Sequence, residues 1–185
     1  MPVSPAEVKQ CFVLSEMVKD CAGQDTRQFR RCIEEKEQAV RAMNASQLNQ
    51  RIPNVGDRVR ATEYDRREWR FDTISIDHTQ VFGDAGELPP ELTWGSVKDV
   101  AARVGPKLGL IPQCRAKTAI PGIISMAEII GSVKLLSVIA LPTGDPYRAY
   151  SASIKWHLDD GSMRSIGLAL SGRIALNAYV ASKLP

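Results

Sequence analysis

The sequence predicts an α+β protein, in which an N-terminal antiparallel helical hairpin packs with an antiparallel β-sheet. The first fifty residues show capped runs with apolar residues at helical spacing, and the last fifty show strand-length apolar runs separated by turns. Apolar residues make up 44% of the chain and charged residues 24%, which is typical of globular domains. We therefore assign residues 1–50 to a helical hairpin and 54–185 to an α+β domain that ends in an antiparallel meander.

The first helix is predicted to begin at Pro5, because Ser4 is a good N-cap and Glu7 completes a capping box. Asp25 or Thr26 opens the second helix, and a short connection makes the pair antiparallel. Apolar residues recur on one side of each helix at helical spacing. Those expected to be buried are Val8, Phe12, Val18, Phe29, Ile33 and Val40.

The middle of the chain is predicted to alternate turns, strands and one helix. A turn at Pro53–Asp57 precedes a first strand near Arg58–Thr62, and Trp69–Ile76 forms a second strand. Residues 83–90 are predicted to form a loop. Ser96 with Asp99 then opens a helix, which ends or kinks at Gly105-Pro106 because proline lacks a backbone N–H.

The C-terminal fifty residues are predicted to form four strands. Apolar side chains alternate along them, as in Ile154, Trp156 and Leu158, and Asp159-Asp160-Gly161 supplies a hairpin turn. The four runs are Val133–Leu141, Tyr147–Leu158, Met163–Leu170 and Arg173–Ala181.

The four cysteines are predicted to be free thiols in a reducing compartment. Cys11 and Cys21 lie on the first helix, Cys32 on the second and Cys114 far along the chain, so they do not form opposed pairs. We expect no signal peptide, since the first turn is a polar helix start, and no transmembrane segment, since charged residues interrupt the most apolar region.

Catalytic motifs are absent from the sequence. Its two histidines, His78 and His157, lie in or beside strands, and no nucleophile motif, phosphate-binding loop or metal-ligand spacing accompanies them. We therefore predict a protein that is not an enzyme, with no catalytic or metal-binding residues, no cofactor and no small-molecule substrate.

The segment Arg115–Ala127, RAKTAIPGIISMA, is the most informative one for function. It carries no charge after Lys117, and Pro121-Gly122 argues against a continuous helix or central strand. Two interpretations stay open: an apolar loop that covers the core, or an exposed loop that inserts into a neighbouring subunit or a membrane interface. The candidate self-association residues are Ile120, Pro121, Ile123, Ile124 and Met126.

Charge is unevenly distributed around this segment, although the net charge is only +3. Residues 71–97 carry acidic residues without lysine or arginine, whereas residues 98–117 are basic. Such neighbouring zones are either two solvated faces or a surface that attracts anionic partners or further copies of the chain. The predicted basic patch consists of Lys98, Arg103, Lys107, Arg115 and Lys117.

The order of these features resembles that of rhabdovirus matrix proteins, with the plant-infecting branches closer than the animal ones. The similarity runs from about Trp69 to Leu170, through WRFDTISI, KDVAARV, KTAIPGIISMA and SIKWHLDDGS. The chain departs from the animal-virus members in lacking a basic N-terminal arm, and Pro89-Pro90-Glu91-Leu92 lacks the tyrosine of their Pro-Pro-x-Tyr motif.

The resemblance implies a viral structural protein that self-associates into a helical or open array. Such a protein would condense a helical ribonucleoprotein and line the inner face of an envelope, in the virion and inside the host cell. The basic patch would then contact nucleoprotein, RNA or, peripherally, an anionic membrane surface. The alternative is a small RNA-binding or regulatory α+β binding module.

Overall fold

The chain forms an α+β structure, as predicted, in a computed structural model that describes residues 1–21, 23–81, 92, 94–111, 115–144 and 148–183. The predicted loop at 83–90, the Pro-Pro segment, Cys114 and the side chain of Arg115 lie outside the described residues. The helices are α1 (Pro5–Met17), α2 (Thr26–Arg41), α3 (Ala45–Gln50), α4 (Arg60–Arg66), α5 (Val97–Val104), α6 (Arg115–Ser125), α7 (Ala127–Ser132) and α8 (Ser162–Leu170). The strands are β1 (Pro2–Val3), β2 (Trp69–Ser75), β3 (Thr79–Gln80), β4 (Val138–Pro142), β5 (Trp156–Asp160) and β6 (Ala175–Ala181). Short 3₁₀ segments lie at Val18–Cys21, Gly105–Leu110 and Lys134–Leu136.

The predicted helix starts are confirmed. The Ser4 side chain accepts a hydrogen bond from the backbone N–H of Glu7 at 3.2 Å, Asp25 caps α2, and Ser96 caps α5. The predicted capping box is wrong, because the Glu7 carboxylate instead accepts from the Tyr179 hydroxyl at 2.9 Å and pairs with Lys134. The first helix is thereby tied to the sheet rather than only to its own cap.

The hairpin buries its apolar side as predicted. Val8, Phe12, Phe29, Ile33 and Val40 are buried, and Val18 is half-buried against the same core.

The prediction of free thiols is wrong for one pair, because Cys21 and Cys32 form a disulfide with their Cα atoms 6.0 Å apart. The 3₁₀ segment Val18–Cys21 turns Cys21 toward α2, which helical spacing alone did not indicate.

The predicted strand at Arg58–Thr62 is wrong, since Arg60–Arg66 forms α4. Ala61 and Tyr64 lie three residues apart and are both buried, so one face of a short helix packs inward. The predicted strand Trp69–Ile76 is confirmed as β2.

The six-stranded sheet has the order β1-β2-β6-β4-β5-β3 and is mixed. β5 pairs antiparallel with β4, whereas β6 pairs parallel with β4. The predicted antiparallel meander is therefore wrong, and its third strand, Met163–Leu170, lies in α8. Gly161, at a φ of +92°, ends β5, and the first turn of α8 closes with Ser165 N–H bonded to the Gly161 carbonyl at 2.8 Å.

The segment predicted as an apolar loop is also a helix, α6, with Pro121 inside it. Ala116 and Ile120 are buried, and α6 packs on α8 at Gly167, where an added Cβ would lie 2.5 Å from the Ile123 side chain. Pro121 and Gly122 are exposed rather than packed in the core, and tertiary packing of the rest of α6 outweighs the cost of proline within the helix.

A continuous hydrophobic core joins α1 and the other helices to the sheet. Among the described residues, no helix combines the length and the apolar character needed to cross a membrane.

Candidate binding groove

A groove lies between α6 on one side and α1, with its following 3₁₀ segment, on the other. Its volume is about 1190 Å³, and the start of α8 lies at its floor. Sites for drug-sized molecules usually enclose roughly 300–1,000 Å³. The groove is therefore large enough for a segment of polypeptide.

The walls of the groove are mainly apolar. Phe12 and Val18 line the α1 side, whereas Ala119, Ile123 and Met126 line the α6 side. Ile123 and Met126 are only half-buried, so a bound segment would cover apolar surface that now faces water.

Gly122 lines the groove without a side chain, so α6 contributes only backbone atoms to the wall at this position. A Cβ added there would meet no atom within 4 Å, and the backbone φ of Gly122 is not positive. A side chain added at this position would therefore start in open space on the wall of the groove.

Asp159 holds the polar end of the groove through a buried ion cluster. Its carboxylate is 1% exposed and accepts from the Tyr64 hydroxyl at 2.5 Å. Arg60 Nε lies 3.2 Å from Oδ2, and Arg58 lies 3.3 Å from Oδ1. Burial, followed by the Asp159 charge, raises the pKa of Tyr64 well above 10.0, so the hydroxyl remains a donor.

Arg164 connects three elements at the floor of the groove. Its guanidinium donates to the Ser15 hydroxyl at 2.6 Å, to the Ser137 carbonyl at 3.0 Å and to Asp160 at 3.0 Å. The side chain is 9% exposed. Gly161 is needed beside it, because an added Cβ would lie 2.9 Å from the guanidinium.

These charged groups balance one another. The arginines of the cluster are Arg58, Arg60 and Arg164, and its acids are Glu63, Asp159 and Asp160. Both oxygens of Asp159 are occupied by protein donors, which favours a structural role over proton transfer. The buried part of a bound segment should accordingly carry no net charge.

The predicted self-association residues are divided between the core and this groove. Ile120 is buried and Pro121 is exposed, while Ile124 is half-buried against the core. Ile123 and Met126 line the groove.

The predicted basic patch is distributed over three successive elements. Lys98, on α5, pairs with Asp77 at 2.8 Å, and their hydrogen bond raises the pKa of Lys98 and lowers that of Asp77. Arg103 donates to the Trp94 carbonyl. Lys107 is exposed and Lys117 half-buried, and neither has an ion pair among the described residues.

The two histidines lie in different surroundings. His78 Nδ1 lies 3.0 Å from the Ser153 carbonyl, and His157 is a buried residue of β5. Over the ranges that the structure describes, no group of three or more His, Cys, Asp or Glu could hold a metal ion.

Sequence reasoning missed the ion cluster entirely. Tyr64 and Asp159 are separated by 95 residues, and Ser15 and Arg164 by 149. The one local signal was Asp159-Asp160-Gly161, which we interpreted as a hairpin turn.

A scan against protein-family models and searches of curated proteins and of solved structures found no match. The resemblance to rhabdovirus matrix proteins therefore stays a prediction.

Proposed function

We propose that the chain is a non-enzymatic, self-associating structural protein in which the groove of one copy binds an apolar turn of the next. The half-open groove beside Ile123 and Met126 is the observation that carries the proposal. Its partly exposed apolar surface lies next to a polar end at which the buried charges balance. Such a site suits an apolar polypeptide segment better than a charged metabolite.

The proposed occupant is the 3₁₀ segment Gly105–Leu110 of a second copy. Leu110 is 83% exposed and lies at the end of this segment, so its side chain is accessible to a second copy. None of the residues 105–110 lines the groove of its own copy. Lys107 on the segment is opposite in charge to Glu16, which lies on the groove wall. Glu16 is half-exposed and also forms an ion pair with Lys19.

Such a contact is heterologous, because segment and groove are different surfaces of one copy. A heterologous contact that does not close builds an open or helical array. An open or helical array is consistent with the finer proposal of a matrix-like protein that condenses a ribonucleoprotein beneath an envelope. In such a protein the basic patch would contact nucleoprotein, RNA or anionic membrane. That finer proposal rests on the sequence resemblance.

The test is to block the groove with Gly122→Phe. The open space around Gly122 predicts a folded protein that stays monomeric at concentrations where the unmodified chain assembles. Ala39→Phe, at an exposed position on α2, is the matched control and should assemble normally. Sedimentation velocity over a concentration series measures assembly, and circular dichroism verifies folding. Normal assembly of folded Gly122→Phe would refute the proposed contact.

A second candidate function is a small RNA-binding module. Trp94 is exposed, and its backbone carbonyl accepts a hydrogen bond from Arg103, so one stretch of surface carries both an exposed indole and a cation, the two groups that single-strand binding sites combine. Fluorescence anisotropy with a labelled single-stranded RNA, for Trp94→Ala and the unmodified chain over a salt series, tests this candidate. Equal binding by both would reject Trp94 as a stacking residue.

A further inference from the structure

The disulfide joins two segments whose neighbouring residues line the groove. Cys21 ends the 3₁₀ segment Val18–Cys21, and Cys32 lies in α2. Val18 and Gly23 precede and follow Cys21 and both line the groove, as does Phe29, three residues before Cys32. The bridge therefore joins two parts of one wall.

Helix α2 has few other attachments. Only Phe29, Ile33 and Val40 are buried among its residues, and it packs mainly on α1 and the 3₁₀ segment. Lys36 adds a long ion pair to Asp20 at 3.7 Å, with Asp20 largely exposed. The disulfide is thus the strongest single connection between α2 and the 3₁₀ segment.

The two bridged cysteines differ in exposure. Cys32 is half-buried, whereas Cys21 is fully buried. A dithiol would attack the Cys32 sulfur as a thiolate, and Cys21 would leave as a thiolate and take up a proton. The second thiol of the reductant then releases Cys32 as a thiol, so the dithiol is oxidised to its own disulfide while the protein gains two thiols.

We infer that the Cys21–Cys32 disulfide is a redox latch for the groove, so that its reduction loosens the wall and weakens binding of the second copy. The inference rests on the proposed function of the groove. Without the bridge, the first turns of α2 separate from the 3₁₀ segment, and Phe29 leaves the wall. Cys11 takes no part, because it is buried in the core, where its thiol donates to the Ser137 carbonyl at 3.2 Å.

The experiment compares the full chain in its oxidised form, after reduction with dithiothreitol, and as the Cys21→Ala/Cys32→Ala variant. Hydrogen exchange followed by mass spectrometry reports the wall, and sedimentation velocity reports self-association. We expect roughly 100-fold faster exchange in residues 18–33 after reduction, with α6 unchanged. We also expect self-association to weaken roughly tenfold in the reduced chain and in the double variant, while Cys11→Ala keeps the redox response.

The outcomes separate the two proposals. Unchanged exchange in residues 18–33 after verified reduction would overturn the latch, as would faster exchange with unchanged self-association. Neither result would contradict the proposed function if the oxidised chain self-associates. Absence of self-association in both redox states would overturn the proposed function, and redox control of binding would be overturned with it. Self-association that is lost only on reduction, together with faster exchange, supports the latch.

Discussion

Replacing Cys21 and Cys32 by alanine, singly and together, measures the contribution of the bridge to stability. Each single variant removes the bridge and part of its own packing, whereas the double variant removes the bridge once and both packing contributions. The sum of the single effects should therefore exceed the double effect by the free energy of the bridge. Alanine is preferred to serine because Cys21 is fully buried, where a hydroxyl would need a partner.

The magnitude follows from the length of the closed loop. The cysteines are 11 residues apart, for which the chain-entropy relation gives about 2.8 kcal/mol at room temperature. For a chain of this size, a loss of that amount lowers the melting temperature by roughly 6–11 °C. The single effects should therefore sum to about 2.8 kcal/mol more than the double effect.

Urea unfolding of the oxidised chain and the three variants, followed by circular dichroism, gives each free energy of unfolding. Cys11→Ala provides the control, because Cys11 lies outside the bridge and its effect should add to that of either single variant. A coupling below about 0.5 kcal/mol would mean that the two cysteines act independently, which would refute the bridge.

Three further predictions concern the core, the proposed contact and pH. Phe29→Ala should lower the free energy of unfolding by about 3 kcal/mol, because Phe29 is buried. Gln28→Ala, at an exposed position, is the control and should change it by less than about 0.5 kcal/mol. If urea unfolding gives an equally small change for Phe29→Ala, the burial of Phe29 would be contradicted. Leu110→Ser should weaken self-association by roughly 10- to 150-fold without altering stability, and an unchanged sedimentation profile would exclude Leu110 as the inserted side chain. Burial raises the pKa of Cys11 above 9.0 and that of Tyr64 above 10.0. At higher pH the folded state therefore keeps protons that the unfolded state loses. The free energy of unfolding should then fall by about 1.4 kcal/mol per pH unit for each group, as the pH rises above 9.0 for Cys11 and above 10.0 for Tyr64. Urea unfolding at several alkaline pH values, with tyrosinate absorbance as a second signal, measures this loss; ionisation of all tyrosines before unfolding would contradict the buried Tyr64.

The helix starts could be predicted because capping depends on a few adjacent residues. Ser4, Asp25 and Ser96 each bind backbone N–H groups within three residues, so the sequence carries the whole interaction. The strand β2 was predictable for a similar reason, since its aromatic and β-branched residues fall within six positions of one another, with Arg70 and Asp72 alternating between them.

Helix α8 could not be distinguished from a strand by periodicity. Arg164, Ser165, Ile166, Gly167 and Leu168 are all buried. A helix buried on most sides has no polar face, and its apolar residues need not follow a helical period. The alternation of Ile166 and Leu168 therefore suggested a strand that does not exist.

Helix α6 was missed for a different reason. Pro121-Gly122 locally disfavours a helix, and the stabilising contact comes from Gly167, 45 positions later in the sequence than Gly122. Because Gly167 has no side chain, α6 approaches α8 closely enough to bury Ile120. A contact between such distant residues has no local sequence signal.

The groove persists because α1 and α6 are held by different residues of α8. Helix α6 is fixed on α8 at Gly167, whereas α1 is fixed by Ser15, whose hydroxyl accepts from Arg164. Arg164 also binds the Ser137 carbonyl just before β4, so hydrogen bonds act together with apolar packing in setting the distance from α1 to the sheet. Buried ion pairs add little net stability compared with apolar packing of the same volume. The main contribution of Arg164 is therefore geometric: it prevents α1 from moving onto Ile123 and closing the apolar surface that the proposed contact requires.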